Sequence, residues 1–298
     1  SMDLFYSLGY KWRRLAWYLA TNDAGTSYIT QGTGAEIERV DDAGATYNVL
    51  WHNNNSGFSV EYWSITFNCD NTKLIVGGTK SSNPLSFPIN FWATIYDIDI
   101  SNGNVLSQVT LDTTSFGSGG IPTPVEVRSI SSTKNSRYAF LTHEEVGTIN
   151  QDFSACNSAV EPSFIVSNTE SLGYKCENFL SASQNGGGLK AIASNDNYIY
   201  THKGDAILQW DANSGALLNT VSLPSGNANH SGFGLVVNCS GLDVDAAGNV
   251  YAGSMNRVVK FDANLNILSQ APTTGNFTVY DVSVNSNGEV IAGGALLD

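Results

Sequence analysis

Apolar and polar positions alternate over short stretches along the whole chain, each stretch ending at Gly, Asn or Asp, and no helical period competes with this pattern. The clearest instance is Gly241 to Gly253, GLDVDAAGNVYAG. Leu242 and Val244 alternate with Asp243 and Asp245, Ala246 to Asn249 tolerate a tight turn, and Val250 to Gly253 begin a return strand. Val258 to Asp262 then predicts a third strand, Ala263 to Asn266 a second turn, and Ile267 to Gln270 a fourth strand. One unit is thus a four-stranded meander of about 40 residues, which suits a propeller blade.

Aligning the chain on this hairpin places innermost strands at Leu19 to Thr21, Ile65 to Phe67, Arg128 to Ile130, Lys190 to Ile192, Leu242 to Val244 and Val282 to Val284. Their middle positions, Ala20, Thr66, Ser129, Ala191, Asp243 and Ser283, are small or short and polar, as crowding around a narrow axis requires. Third strands recur at Glu36 to Asp41, Thr94 to Asp99, Ile207 to Asp211 and Val259 to Asp262. The sixth hairpin ends near the last residue without outer strands, and the strand-like Leu4 to Tyr10 is expected to complete it. The pattern predicts an all-β chain: a six-bladed β-propeller closed by N- and C-terminal strands, forming a single domain over residues 1–298.

Composition sharpens this in three ways. Only 14% of residues are charged while aromatics reach 11%, the balance of a strand-and-turn protein. A net charge of −13 argues against nucleic acid and against an anionic membrane surface, and no apolar run is long enough to insert into a bilayer. The four cysteines, Cys69, Cys156, Cys176 and Cys239, fit no zinc or redox spacing; Cys156 and Cys176 either form a bridge or remain thiols. The Ser1-Met2 start reads as a cloning remnant, and the chain as a domain excised from a longer secreted protein, monomeric in isolation.

The phrases GLDVDAAGNVYAGS (241–254), VVKFDANLNILS (258–269), VYDVSVNSNGEVIAGG (279–294) and YWSITFNCDNTKLIVGG (62–78) resemble the repeats of large secreted surface proteins of gliding Bacteroidota, which often end in a gliding-motility-associated C-terminal domain. The resemblance implies export to the cell surface and an adhesive or binding role, and it carries over no catalytic residue.

Candidate chemistry is sparse. Asp243-x-Asp245-x-x-Gly248-Asn249 has a calcium-loop flavour but lacks the remaining oxygen ligands, so it reads as a hairpin turn. Thr21 to Tyr28 resembles a sialidase Asp-box, a structural turn, and that chemistry's arginines are not in place. The histidines have no metal spacing, and neither metal nor cofactor is expected. More informative are the loops. Turns between strands one and two and between three and four are short, whereas Asn53 to Glu61, Thr79 to Phe91, Asp112 to Pro124, His143 to Glu161 and Pro224 to Ser240 form long segments on the opposite face. The ligand-binding candidates gather there: Trp63, Phe91, Trp92, His143, Glu144, Phe153, His230 and Phe233, aromatics and polar groups suited to a sugar ring or a peptide. The leading expectation is a non-catalytic binding or adhesion module with an extracellular glycan or protein as partner. The alternatives are a propeller-fold glycoside hydrolase or polysaccharide lyase using Glu144, Glu145, Glu161 or Asp152, or a structural spacer.

Overall fold

In the computed structural model the described residues are 16–21, 26–31, 36–42, 47–54, 60–68, 70–81, 91–111, 127, 129–132, 137–141, 145–150, 165–167, 176–179, 191–202, 206–224, 229–232, 235–239, 241–254, 256–273, 277–285 and 287–296. Their regular structure is all β. The chain divides into two compact units, one of Ser1–Glu145 with Ile149–Glu161 and the other of Val146–Thr148 with Pro162–Asp298.

The first unit opens with two antiparallel meanders. β1 (Ala16–Thr21), β2 (Thr26–Gln31), β3 (Glu36–Asp42) and β4 (Tyr47–Asn54) lie in chain order, as do β5 (Val60–Phe67), β6 (Lys73–Ser81), β7 (Phe91–Asp99) and β8 (Val105–Thr110). A third four-stranded sheet, β9 (Ser129–Ser132), β10 (Arg137–Leu141), β11 (Glu145–Asn150) and β12 (Ile165–Ser167), includes the segment at which the two units divide. β11 falls inside the stretch His143 to Glu161, which the sequence reads as a long loop.

The second unit begins with β13 (Cys176–Phe179), followed by a meander of β14 (Ala191–Ser194), β15 (Tyr198–His202), β16 (Ala206–Asp211) and β17 (Leu217–Ser222). β18 (Asn229–Gly232) and β19 (Leu235–Cys239) come next, then a meander of β20 (Leu242–Val244), β21 (Val250–Ser254), β22 (Arg257–Phe261) and β23 (Ile267–Pro272), and a final hairpin of β24 (Phe277–Val284) and β25 (Val290–Leu296). All six expected inner strands thus begin a sheet. The extra sheet β13-β19-β18 corrects the reading of Pro224 to Ser240 as a loop. The segment Leu4 to Tyr10, expected to complete the last sheet, lies outside the described residues.

Packing follows from strand alternation. On β6, Leu74 and Val76 belong to one core cluster with Tyr28, Tyr62 and Tyr96, while Ile75 between them joins another with Ile95, Ile130 and Phe140. On β21 and β22, Val250, Ala252 and Phe261 pack toward Tyr200 and Ile207, whereas Tyr251 and Val258 meet Val279 and Val282. Middle strands are therefore buried on both faces, each large side chain contributing about 1.5–3 kcal/mol. Outer strands are largely exposed.

Bulges recur at matching places. Where the third strand meets the fourth, the pairing skips Leu50, Leu106, Leu218 and Leu268 in four sheets. On inner strands it skips Trp17, Trp63 and Tyr280. Such bulges bend a strand and re-aim the residues beside them, and on an outer strand they spoil the edge for pairing with another chain.

Candidate functional site

The inner strands β20 and β24 of the second unit carry the most perturbed carboxyl among the described residues. Gly241 precedes β20, and a Cβ there would collide with the backbone of Asp281 and Val282. Only glycine lets the two chains approach so closely. Asp243, two residues on, reaches across the approach: its Oδ2 accepts from the Val284 backbone N–H at 2.8 Å, and its Oδ1 accepts from Val244 N–H at 2.8 Å. Burial pushes the Asp243 carboxyl up to about 6; the hydrogen bonds from Val284 and Val244 offset this only in part, and the nearby Asp281 charge adds to the rise. Asp281 directly follows the bulge at Tyr280, and its Oδ1 accepts from Val282 N–H at 3.0 Å. Ser283, exposed on the same strand, also hydrogen-bonds Asp243.

A carboxyl with a pKa near 6 is present in both protonation states near neutrality, so it can take a proton in one step and return it in the next. Asp281 close by strengthens that hold on the proton by like-charge repulsion. No group of three or more His, Cys, Asp or Glu side chains that could hold a metal ion occurs among the described residues.

The neighbouring turn is chemically closed. Asp245 accepts from Ala247 N–H, Asn249 N–H, the Asn249 amide and the Tyr251 hydroxyl at 2.8–2.9 Å, and Gly248 takes φ 85°. The hairpin reading of Asp245 to Asn249 therefore stands, with four donors converging on the Asp245 carboxylate and the Lys260 ammonium 3.8 Å from its Oδ2.

Four of the sequence-derived ligand candidates, Trp63, Phe91, Trp92 and His230, fall among the described residues. Trp63 is the bulged residue of β5, 9% exposed and packed in the core cluster of Tyr28, Ile37 and Tyr62. Phe91 and Trp92 open β7 opposite Ser81 and Lys80, with Trp92 half-buried; one strand, β6, separates them from β5. His230 sits within β18 opposite Val237. His143, Glu144, Phe153 and Phe233 lie outside the described residues, as do Glu161 and Asp152 of the enzymatic alternative. Glu145 starts β11. In the sequence Asp243 reads only as part of a calcium-like loop set aside as a hairpin turn, although it is the acidic residue in a row otherwise made of Ala, Ser and Thr.

Sheets of this kind, built in sequence as four-stranded antiparallel meanders, place the chain with propeller-type proteins. No protein-family profile and no characterised protein matches the sequence. Among solved structures, the chain is similar to a protein of unknown function from Bacteroides caccae (15% identity, 90% of this chain and 86% of that one, TM-score 0.56). It is also similar to a streptogramin B lyase (13%, 93% and 75%, 0.52) and to a gluconolactonase from Xanthomonas campestris (14%, 94% and 84%, 0.53). At these identities the likeness carries the fold. None of these proteins speaks to the surface repeats of gliding Bacteroidota. The expectation of a non-catalytic binding module is corrected here: both neighbours with a stated activity, the streptogramin B lyase and the gluconolactonase, are enzymes.

Proposed function

We propose that the chain is a propeller-fold enzyme, a hydrolase or lyase acting on a carbohydrate-derived substrate, with Asp243 as its proton-transfer group and Asp281 as the charge that tunes it. The observation that carries this reading is the half-buried Asp243 carboxyl, raised to about 6 beside Asp281 on the adjoining inner strand. Hydrolysis and elimination share one need: a proton leaves water or carbon, and a proton reaches a departing oxygen. A carboxyl that changes state near neutral pH serves both. The likeness to a lyase and a gluconolactonase over most of each chain supports the class, and the second name supports a sugar-derived substrate.

The same reading takes the six inner hairpins as one six-bladed ring closed by strands from both ends. What supports it is β25. Val290 and Ile291 are 37% and 50% exposed there, whereas the second strands β15 and β21 of other sheets are almost wholly buried. A strand of this composition calls for a partner, and Leu4 to Tyr10 has the matching pattern. Removing residues 1–11 should lower the melting temperature by several degrees; an unchanged transition refutes the closure. The resemblance of the repeats to those of secreted surface proteins and the acidic charge support export from the cell.

The test of function is turnover. Purified protein is assayed against sugar lactones, glycosides and uronic-acid polysaccharides, and Asp243→Asn should lower kcat on any substrate found by about 10²–10⁴-fold. Full activity in a folded Asp243→Asn variant removes the assignment.

A further inference from the structure

The sheet β13-β19-β18 joins strands that lie far apart in sequence: β13 precedes the entire β14 to β17 meander and β19 follows it. In the antiparallel ladder between them Cys176 pairs with Cys239, Glu177 with Asn238, Asn178 with Val237 and Phe179 with Val236. The two cysteines are thus direct register partners at one end of the ladder. Opposed residues of an antiparallel pair have Cα atoms about 4.5–5.5 Å apart and share a face of the sheet. A disulfide requires a Cα separation of about 4.4–6.8 Å, so both kinds of opposed pair fall within reach of a bridge.

We propose that Cys176 and Cys239 form a cross-strand disulfide, and that this bridge staples the β13-β19-β18 sheet around the meander it encloses. β13 has four residues and one partner in its sheet, an edge strand whose ladder alone holds it weakly. The bond closes a loop of 62 intervening residues, long enough for a large reduction of unfolded-chain freedom. Its formation balances by thiol–disulfide exchange with a small-molecule or protein disulfide. The thiolate of one cysteine attacks the oxidant, forming a mixed disulfide and releasing one thiol. The thiolate of the other then attacks the mixed disulfide and releases the second thiol. Two cysteine protons and two electrons end on the two released thiols. The pairing excludes the bridge between Cys156 and Cys176 that sequence spacing left open; Cys156 lies outside the described residues.

Peptide mapping decides between these arrangements, because trypsin separates the four cysteines onto residues 40–73, 138–175, 176–190 and 204–257. The folded full chain is incubated with oxidised glutathione, free thiols are blocked with N-ethylmaleimide under denaturing conditions, and the digest is analysed without reductant. The expected product is peptide 176–190 linked to 204–257, lost on reduction. Linkage of 176–190 to 138–175, or maleimide or glutathione on both Cys176 and Cys239, overturns the proposal. Reductant should lower the melting temperature of the oxidised protein by about 5–10 °C and leave the Cys176→Ala/Cys239→Ala double variant unmoved. An oxidised protein that melts identically with and without reductant overturns the stapling role.

Discussion

Asp243 and Asp245 stand two residues apart on one hairpin, and their surroundings drive their acidities in opposite directions. For both, burial is the largest influence and favours the neutral acid. At Asp245 the Asn249 side chain and backbone, the Tyr251 hydroxyl and the Ala247 N–H together outweigh it, and the carboxyl falls below its ordinary range. At Asp243 two backbone donors and Ser283 are too few, and Asp281 adds repulsion, so the carboxyl rises to about 6. The same side chain is a turn clamp in one place and a titrating group in the other. The difference lies in how many donors converge on a half-buried carboxyl. Asp99 and Asp262 repeat the turn solution: donors from Ser101 lower Asp99, and donors from Asn266 lower Asp262.

Two glycines of this hairpin, Gly241 and Gly248, extend the comparison, and the largest effect is expected at the inner strand. Gly241→Ala would place its methyl carbon against the Asp281 and Val282 backbone, which cannot yield as a flexible side chain does. We expect a loss of about 3 kcal/mol, read as a lower denaturant midpoint, together with weakened turnover because Asp281 must shift. Near-normal stability and activity would mean that the approach of β20 to β24 is looser than described.

Next in size is the pH dependence. The Asp243 value is raised from 3.8 to about 6, so the native state holds that proton more tightly than the unfolded chain. The associated stability is fully present below pH 3.8 and is lost as pH rises through about 6, a difference on the order of 3 kcal/mol. Asp99, Asp245 and Asp262 have the opposite sign: their contribution is present above the unfolded value and disappears as pH falls through the lowered one. The two windows therefore separate. Between pH 4 and 6.5 the unfolding free energy of Asp243→Asn should climb relative to the wild type, and parallel curves would show that Asp243 is not desolvated.

Asp245→Ala removes the acceptor for two backbone donors, one amide and one hydroxyl, and should cost about 2 kcal/mol while leaving kcat within about twofold. Asp245→Asn, which keeps the Oδ1 contacts, should cost about half of that. A large loss of turnover in a stably folded Asp245→Ala protein would move the chemistry from the inner strand to the turn.

What was legible in sequence divides along the same line. Turn chemistry is local, so Asp245, Gly248 and the period of the strands announced the hairpin and, by repetition, the first strands of six sheets. The β13-β19-β18 sheet was hidden because its strands are short and pair across the whole β14 to β17 meander, a separation that no window of residues registers. β11 was lost inside a segment rich in acidic residues. Asp243 was visible as a residue and invisible as a site, because its desolvation comes from β24 lying against it at Gly241, some 40 residues away in the chain. The burial of Trp63 was hidden for a related reason. Trp63 looked like a ligand platform at the start of an inner strand, but that strand bulges at this residue and its ring belongs to the core.

The smallest effect is expected at the turn glycine. Gly248 takes φ 85°, and a Cβ added there would meet only the Asn195 amide nitrogen at 3.6 Å and the Ala263 Cβ at 3.8 Å, both ordinary contacts. Nothing obstructs an alanine side chain, so the cost of Gly248→Ala is that of holding a non-glycine residue in left-handed backbone, about 1 kcal/mol. Gly288 has φ 77° with open space around it and should lose the same amount on replacement by alanine. Matching losses in the two variants, measured by denaturant midpoints with turnover unchanged, isolate the backbone term. A markedly larger loss at Gly248 would show that its neighbours Asn195 and Ala263 are packed more tightly than these distances allow, making the turn as constrained as the inner strand.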